Sequence, residues 1–566
     1  MSSGTRTTPF AITLDVGSSR ANLTGSWRTE RPQYARLSAP CGAGCPAAED
    51  VQQWLYHAEE GGYEAAWRKI MERNPFPAIS GRICYHPCET ACNRAQLDAA
   101  VGINSVERFL GDQALAKGWQ IEPAQLLGTG GRVLVIGAGP SGLSAAYHLA
   151  LLGHHVTVRD MAPAAGGMMR YGIPKYRLPR EILDAEIQRI AELGVDFQLG
   201  AHVSDLIAER AAGGYDAVFL AVGATLPQRT YIPAGSAARI IDAIALLRNA
   251  EDGSAGPPLL GRRVTVYGGG NTAMDAARTA KRLGAEESIV VYRRDREHMP
   301  AHESELMEAL QEGIKVKWLT TITEAGAGEI TVERMELDEH GYPQPTGQFE
   351  RLGADTVVLA TGQVSDLSLL EGMPGIELED RVVRVDGNMM TGHPGIFAGG
   401  DMVPAERTAT VAIGHGRRAA HGIDRWLRGE TGNPEWGLHD SASATGVGPV
   451  PQTAQVPFER LNTWYFSDAP RTVREQLDAI RRTSTFDEVV LGLDEANALF
   501  EARRCMSCGN CLACDNCYGV CPDNAVVKLD PPGAYAYAFD LDYCKGCGLC
   551  AQECPCGAIE MLPEPI

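Results

Sequence analysis

The chain has 566 residues, of which 44% are hydrophobic and 22% are charged. This composition is typical of a globular protein with several domains and excludes a disordered or fibrous chain. The 71 acidic residues outnumber the 51 basic ones, and the net charge of −20 argues against a nucleic acid or an anionic membrane as partner. No apolar run is long enough for a membrane span, and the start of the chain lacks the apolar segment of a signal peptide, so we expect a cytoplasmic protein.

The cysteines fall into two groups near the ends of the chain. Of the 16 cysteines, five lie between Cys41 and Cys92, eleven lie between Cys505 and Cys556, and none lies between Asn93 and Arg504. Tight groups of this kind in a cytosolic chain predict metal or iron–sulfur sites rather than disulfides. The absence of cysteines from this long central segment also excludes a flavin enzyme that reduces disulfides, because such an enzyme needs a pair of thiols beside its flavin.

The N-terminal group lies in mostly helical sequence and is irregularly spaced. Its members are Cys41, Cys45, Cys84, Cys88 and Cys92. Five thiols in so short a stretch predict at least one [4Fe–4S] cluster. The alternative is that they are reduced structural cysteines in small helices.

A first nucleotide-binding unit begins at the apolar run 133–136, which predicts a buried parallel strand. A glycine-rich turn follows and opens a helix of small residues, where a pyrophosphate can approach the helix N-terminus. Asp160 ends the next strand, 21 residues after Gly139, and can accept hydrogen bonds from an adenosine ribose. The predicted dinucleotide site comprises Gly137, Gly139, Ser141, Gly142 and Asp160.

A second unit repeats this strand–turn–helix pattern from residue 264, with Gly268, Gly270, Asn271 and Thr272 in the predicted phosphate turn. Two units predict two dinucleotides, a resident flavin and an exchanging nicotinamide. The second strand of the later unit ends in a pair of basic residues, Arg293 and Arg294, instead of an acid. Two guanidinium groups at the ribose favour a 2′-phosphate, which predicts NADP(H). The alternative is a solvated basic patch on a domain that binds NADH.

The C-terminal tail contains an internal repeat in which each copy reads C-x₂-C-x₂-C-x₃-C-P. This is the run of bacterial ferredoxins with two [4Fe–4S] clusters, in which each fourth thiolate serves the other cluster. The first predicted ligand set is Cys511, Cys514, Cys517 and Cys554, and the second is Cys544, Cys547, Cys550 and Cys521. Zinc knuckles are the alternative, but their cysteines come in separated pairs.

Several motifs resemble a known family. The run 166–174 (GGMMRYGIP), the GGGNTAMD run at 268–275, Ala360-Thr361-Gly362 and Gly399-Gly400-Asp401 are similar to the signature of the glutamate synthase small (β) subunit. Dihydropyrimidine dehydrogenase, in its N-terminal half, and the NADPH-side subunit of bifurcating transhydrogenases share that signature. The resemblance covers about residues 40–430 and implies an FAD domain split by an inserted NADPH domain.

The resemblance also implies roles for individual residues at the flavin. Asp160 would hold the adenosine ribose, Asp401 the ribityl chain of FAD, and the helix start at Thr410 would face the flavin ring. The other members of the FAD site that it implies are Gly167, Arg170 and Gly400.

For the N-terminal cysteines the resemblance implies one cluster held by Cys45, Cys84, Cys88 and the carboxylate of Glu107. A second family cluster would need a C-x₂-C pair upstream of Cys41, which this sequence lacks.

The tail, however, has a spare C-x₂-C pair, Cys505 and Cys508, that its two ferredoxin-type clusters do not need. We hypothesise that this pair completes the broken N-terminal cluster with Cys41 and Cys92. The alternative is that both are extra thiols in a cysteine-rich loop, and Cys556 is left over in either case.

The predicted fold class is α/β, with a helical iron–sulfur domain, two Rossmann-like domains and an α+β ferredoxin domain of the bacterial type. The expected segments are an arm (1–36), the helical iron–sulfur domain (37–125), the FAD-binding domain (126–226 and 355–430), the inserted NAD(P)H-binding domain (227–354), a linker with helices (431–500) and the 2[4Fe–4S] ferredoxin domain (501–566).

The expected function is that of an NAD(P)H:ferredoxin-type oxidoreductase subunit that uses FAD and iron–sulfur clusters. Hydride transfer needs positioning more than acid–base groups, so we predict no catalytic triad or dyad.

The tail resembles ferredoxin subunits that serve 2-oxoacid:ferredoxin oxidoreductases, which predicts a redox partner of that kind, with ferredoxin as a further candidate. The alternatives are a glutamate synthase small subunit, which needs no such tail, and a wiring module without nicotinamide binding.

Overall fold

The structure, a computed structural model, describes residues 23–35, 37–122, 130–228, 230–235, 239–252, 259–430, 454–530 and 536–565. Residues 1–22 and 36 of the predicted arm (1–36) and residues 431–453 of the predicted linker (431–500) therefore lie outside the described residues. The architecture is mixed α/β, as predicted, with two parallel five-stranded sheets. Within the described ranges, no helix is both long enough and apolar enough to cross a membrane.

The N-terminal domain is helical and shares its core with the first sheet domain. Its helices are Pro40–Gly44, Val51–Glu59, Tyr63–Met71, Pro77–Ile83, Pro87–Thr90 and Ile103–Lys117. Helix Pro77–Ile83 crosses helix Ile103–Lys117 backbone against backbone, since a Cβ at Gly81 or Gly111 would collide with the other helix. This close crossing brings the thiol of Cys84 next to the carboxylate of Glu107.

The first sheet has five parallel strands in the order Ile396–Ala398, Ala217–Leu220, Arg132–Ile136, His155–Asp160 and Asp196–Leu199. The helices of this domain are Pro140–Leu151, Met168–Tyr171, Arg180–Ala191, Leu206–Gly213 and Ala409–Leu427. Helix Ala409–Leu427 packs closely on helix Pro140–Leu151, because a Cβ at Gly416 would collide with the Ser141 carbonyl oxygen. This packing sets the start of helix Ala409–Leu427 beside the glycine-rich turn.

The second sheet is also parallel, in the order Lys315–Lys317, Glu287–Val291, Arg263–Tyr267, Thr356–Leu359 and Ile240–Asp242. Its helices are Ala243–Asp252, Asn271–Arg282 and Glu303–Gln311. An antiparallel sheet of Thr320–Ala325, Glu329–Leu337 and Pro343–Gly353 packs beside it, and Leu378–Glu379 pairs with Val382–Val383 farther along the chain.

One predicted domain boundary differs from the structure. We predicted that residues 355–430 return to the FAD-binding domain, but strand Thr356–Leu359 lies in the second sheet, between two of its strands. The unbroken apolar run predicts a buried strand without indicating which of two sheets it joins. The chain leaves the first domain and returns to it through the antiparallel pair Leu226–Pro227 and Gln363–Val364.

A helix and a strand are among the elements that tie the C-terminal region to the N-terminal part of the chain. Helix Glu495–Ala502 packs on helices Val51–Glu59 and Ile103–Lys117, so the predicted domain start at 501 falls inside a helix of the N-terminal core. Strand Glu30–Tyr34 pairs antiparallel with strand Ile559–Pro563. The arm therefore adds a strand to the ferredoxin tail. The remaining elements are Ala479–Ser484, Asn516–Val520 and Leu549–Gln552, and the pair Val526–Lys528 with Tyr537–Phe539, whose turn lies outside the described residues.

A buried ion cluster stabilises the second sheet domain. The carboxylate of Glu312, with no exposed side-chain surface, pairs with Arg278 at 2.8 Å and with Arg282 at 2.7 Å. Arg282 also donates to the Thr485 carbonyl oxygen at 3.2 Å. The cluster thus joins this domain to helix Ala479–Ser484.

Replacing Glu312 with Ala removes a counter-charge from two buried guanidinium groups; Arg278 keeps Glu308 at 2.9 Å, whereas Arg282 keeps no other ion pair within the described residues. We expect the free energy of unfolding to fall by about 3–5 kcal/mol, measured by urea denaturation. The matched control is Glu286→Ala, which removes an exposed pair with Arg262 and should leave the free energy of unfolding almost unchanged. Equal effects of the two substitutions would contradict the stabilising role of the buried cluster.

Candidate redox site

The glycine-rich turn after strand Arg132–Ile136 leaves its backbone open to a ligand. Gly137 has a φ of +109°, and a Cβ at Gly142 would collide with the Gly137 carbonyl oxygen. Gly167 lies against Gly139 so closely that a side chain there would also collide. The hydroxyl of Ser141 is buried and has no hydrogen-bond partner among the described residues. This unpartnered group at the start of a helix fits a pyrophosphate oxygen.

Asp160 lies at the carboxyl end of its strand, as predicted. One carboxylate oxygen accepts from the Ala138 backbone N–H and the other from the Ala162 N–H, both at 2.7 Å. These bonds orient the carboxylate, whose oxygens together have about four lone-pair positions. The remaining positions are suited to the hydroxyls of an adenosine ribose.

The Gly400–Asp401 turn lies against this first glycine-rich turn, because a Cβ at Gly400 would reach within 3.2 Å of the Ser141 Cβ. The Gly400 N–H donates to His415 Nδ1 at 3.1 Å, which places any ring proton of a neutral His415 on Nε2. Burial lowers the pKa of His415 to about 4, so this ring is neutral at pH 7. Burial also raises the pKa of Asp401.

Arg170, the remaining predicted FAD contact, is already engaged with the protein. Its Nε donates to the Ala165 carbonyl oxygen at 2.6 Å, and its guanidinium pairs with Asp184. These bonds hold the Gly166–Gly167 turn against the first glycine-rich turn.

The second glycine-rich turn has the same open backbone. Gly268 has a φ of +150°, and its missing side chain makes room for the Ala360 carbonyl oxygen. A Cβ at Gly270 would meet nothing within 4 Å, which leaves space for a phosphate. Thr272 is half-buried at the helix start, and Asn271 accepts from the His302 N–H at 2.8 Å.

Arg293 and Arg294 follow the second strand of this unit, as predicted. Arg293 is exposed and Arg294 half-buried. The Arg294 guanidinium lies 5.8 Å from the centre of the Tyr342 ring. Neither arginine forms an ion pair with an acid in the described part of the chain. Both guanidinium groups are therefore available to a 2′-phosphate.

We expect the double substitution Arg293→Ala, Arg294→Ala to raise the KM for NADPH at least tenfold while changing the KM for NADH little. Each charge-assisted bond to the 2′-phosphate contributes about 1.5–3 kcal/mol. Steady-state reduction of a dye gives both constants. The control is Arg296→Ala, because Arg296 already pairs with Glu303. Equal use of NADH and NADPH by the unaltered protein would contradict the role of the two arginines.

Four of the predicted N-terminal ligands come together at the crossing of the two helices. Burial and the nearby charges of Cys45, Cys84 and Glu107 raise the pKa of the Cys88 thiol. Burial and Glu107 likewise raise the pKa of Cys84 to about 12. The set of Cys45, Cys84, Cys88 and Glu107 can hold a cluster, because iron deprotonates the thiols it binds and offsets their clustered charge.

Two neighbours of this set carried no signal in the sequence. Asn74 donates to Glu107 at 3.1 Å and to Glu49 at 2.8 Å. Glu49 also accepts from the Trp54 indole at 3.1 Å, and burial raises its pKa to about 7. No spacing rule links these residues to the cysteines, since they meet only through the packing of short helices.

The flavin-side helix touches this cysteine set directly. The Thr410 hydroxyl donates to the Cys84 sulfur at 3.4 Å. One turn further, a Cβ at Gly414 would collide with the Pro46 carbonyl oxygen, next to Cys45. The predicted flavin pocket and the predicted cluster site are therefore in van der Waals contact.

The tail cysteines gather into the two predicted sets. Cys521, Cys544, Cys547 and Cys550 line one small cavity of about 20 Å³. In the other set, burial and the charges of Cys511, Cys554 and Cys514 raise the pKa of Cys517. The leftover thiol, Cys556, lies 3.7 Å from the Cys554 sulfur.

The last four predicted ligands also share a cavity. Cys41, Cys92, Cys505 and Cys508 line one small cavity of about 20 Å³. Among the described side chains, no three His, Cys, Asp or Glu residues converge as the ligands of one metal ion do. Thiolates around a four-iron cluster stand farther apart than those around a single zinc ion.

The structure thus combines two dinucleotide-binding turns with several groups of cysteines. This combination is typical of a flavin iron–sulfur oxidoreductase. Residues 131–416 match the pyridine nucleotide-disulphide oxidoreductase family. Residues 34–119 match dihydropyrimidine dehydrogenase domain II, 4Fe-4S cluster, and residues 510–558 match a 4Fe-4S dicluster domain. The chain belongs to the pyridine nucleotide-disulphide oxidoreductase family.

Three relatives illustrate the similarity. The beta subunit of NADP(+)-dependent formate dehydrogenase from Moorella thermoacetica is 35% identical over 509 residues, which are 83% of this chain and 71% of that protein. The NADPH-Fe(3+) oxidoreductase subunit beta of Geobacter sulfurreducens is 32% identical over 521 residues, or 84% of this chain and 75% of that one. The NADPH glutamate synthase small chain of Escherichia coli is 32% identical over 412 residues, or 68% and 87%.

These matches confirm the resemblance to the glutamate synthase small subunit, the fold class and the cofactors. The protein is an NADPH-dependent flavin iron–sulfur oxidoreductase with FAD, NADP(H), and [4Fe–4S] clusters in both terminal regions. The matches assign regions rather than ligands, so the roles of single residues stay predictions.

Proposed function

We propose that the chain is the NADPH-side subunit of a larger redox enzyme and moves electrons between NADP(H) and a partner protein. FAD, when bound, converts between the hydride of NADP(H) and the single electrons that clusters carry. The residues of this chain bind these cofactors and fix their positions relative to one another. The two glycine-rich turns hold the dinucleotides, and the cysteine sets hold the clusters at fixed positions.

The contact between Thr410 and Cys84 is the observation that carries this proposal. It joins the helix that starts at the predicted flavin ring to a predicted cluster ligand, with one hydrogen bond of 3.4 Å between them. Tight contact between the two sites favours electron exchange within the chain over release of a reduced product.

The exposure of the tail supports its role as the outlet to a partner. Cys514 and Cys547, one from each predicted ferredoxin set, are exposed, whereas Cys41, Cys45 and Cys88 are buried. A cluster held at the tail would therefore lie near the surface, where another protein can approach it.

We propose a partner that exchanges single electrons at low potential, the class that includes 2-oxoacid:ferredoxin oxidoreductases. The two relatives named as beta subunits cover 83% and 84% of this chain. The match to the glutamate synthase small chain covers only 68%. A purely glutamate synthase function would leave the ferredoxin repeat without a task.

The purified protein should contain one FAD and at least about twelve iron atoms per chain, because two tail clusters and one N-terminal cluster each bring four. Anaerobic iron analysis together with the flavin absorbance of the denatured protein gives both numbers. About eight iron atoms or fewer would remove the N-terminal cluster, and absence of FAD would remove the proposed function.

Replacing Cys514 or Cys547 with Ser should stop electron delivery to an external one-electron acceptor protein while NADPH still bleaches the flavin. The reason is that both cysteines lie in the tail, beyond the Thr410–Cys84 contact. Stopped-flow absorbance follows flavin bleaching, and reduction of an added ferredoxin follows delivery. Cys556→Ser is the control, because Cys556 belongs to neither predicted set. A Cys514 variant that keeps its FAD but is no longer bleached by NADPH would contradict this order.

A further inference from the structure

One cavity is lined by cysteines from opposite ends of the chain. Cys41 lies on the short helix Pro40–Gly44, and Cys92 ends the loop after helix Pro87–Thr90. Cys505 and Cys508 come from the segment between helix Glu495–Ala502 and the ferredoxin repeat. The four side chains border the same enclosed space, although the two pairs are more than four hundred residues apart in the sequence.

This cavity matches the cavity of a ferredoxin-type set in the same molecule. Its volume is about 20 Å³, and four cysteines line it. The cavity of Cys521, Cys544, Cys547 and Cys550 has the same volume, about 20 Å³, and is also lined by four cysteines. Two spare thiols in a loose loop would not be expected to reproduce the size and thiol number of a cluster site.

Two of the four sulfur atoms also accept hydrogen bonds of the kind that stabilise bound thiolates. The Ser507 N–H donates to Cys505 at 3.4 Å, and the Asn93 amide donates to Cys508 at 3.7 Å. In the ferredoxin repeat, the Ala525 N–H donates in the same way to Cys521 at 3.2 Å. Hydrogen bonds to sulfur are one of the means by which proteins tune such clusters.

Packing holds the tail pair in place independently of any metal. The side chain of Glu501 is fully buried, and it accepts from the Gly102 N–H at 2.6 Å and the Thr472 N–H at 2.8 Å. Arg504 donates to the Ala99 and Ala100 carbonyl oxygens at 2.6 and 3.1 Å. These bonds fasten the residues just before Cys505 to the N-terminal domain.

We propose that Cys41, Cys92, Cys505 and Cys508 bind a fourth [4Fe–4S] cluster, which joins the N-terminal domain to the ferredoxin tail. Cluster binding would release the four thiol protons, since iron binds the thiolate form. Cys45 directly follows the helix that carries Cys41, and Cys511 lies three residues after Cys508. The site therefore lies between the first N-terminal set and the tail sets. Its role as a relay rests on the proposed function.

The iron content of the unaltered protein is the first test. Four clusters bring about sixteen iron atoms per chain, whereas three bring about twelve. About sixteen iron atoms with as many acid-labile sulfides supports the fourth cluster. About twelve iron atoms, with or without one zinc, overturns it. In that case NADPH would still bleach the flavin, so the proposed function would stand while this inference fails.

Substitution then assigns the ligands. Cys508→Ala and Cys41→Ala should each lower the iron content by about four atoms, and the double variant should lose the same four, because both cysteines serve one cluster. Cys556→Ala is the matched control and should keep all the iron. Retained FAD absorbance shows that each variant is folded. Full iron in either single variant, or a loss of about eight in the double variant, would overturn the shared site. Should a variant lose its FAD, the iron content of the unaltered protein decides.

Discussion

The buried pair of Glu501 and Arg504 holds the two ends of this protein together. Each partner has almost no exposed side-chain surface, and each also bonds to backbone groups of the N-terminal domain. An isolated buried charge would cost several kcal/mol, so this pair is stable only when the docked arrangement satisfies both groups. This docking helps to fix the position of the tail cysteines relative to the flavin side.

The elements with strong local patterns could be predicted from sequence. Both glycine-rich turns, the acid at 160 and the ferredoxin repeat each combine a spacing with a chemical reason, and the structure brings their residues together as expected. Backbone requirements explain this success. A turn whose backbone must stay open for a ligand requires glycine at positions such as 137 and 268, whatever the surrounding fold. The requirement is therefore visible in the sequence.

Features made by packing between distant segments could not be predicted. The Thr410–Cys84 bond, the Asn74 bridge to Glu49 and the second-sheet position of Thr356–Leu359 each depend on which surfaces meet. Apolar periodicity indicates that a strand is buried but not its neighbours. Cys41 and Cys508 line one cavity, but nothing in either local sequence refers to the other. Only the count of thiols against cluster sites suggests that they belong together.

The pairing of strand Glu30–Tyr34 with Ile559–Pro563 has a consequence for how the protein is made. Tyr34 faces Ile559, so strand Glu30–Tyr34 can form this pairing only after the residues as far as 563 have been synthesised. At about 5–20 residues per second, synthesis takes roughly half a minute to two minutes. During that time the strand is an open edge, able to pair with other nascent chains. Oxygen and competing metals also reach the early cysteines before their tail partners exist. That edge is closed once strand Ile559–Pro563 pairs with it.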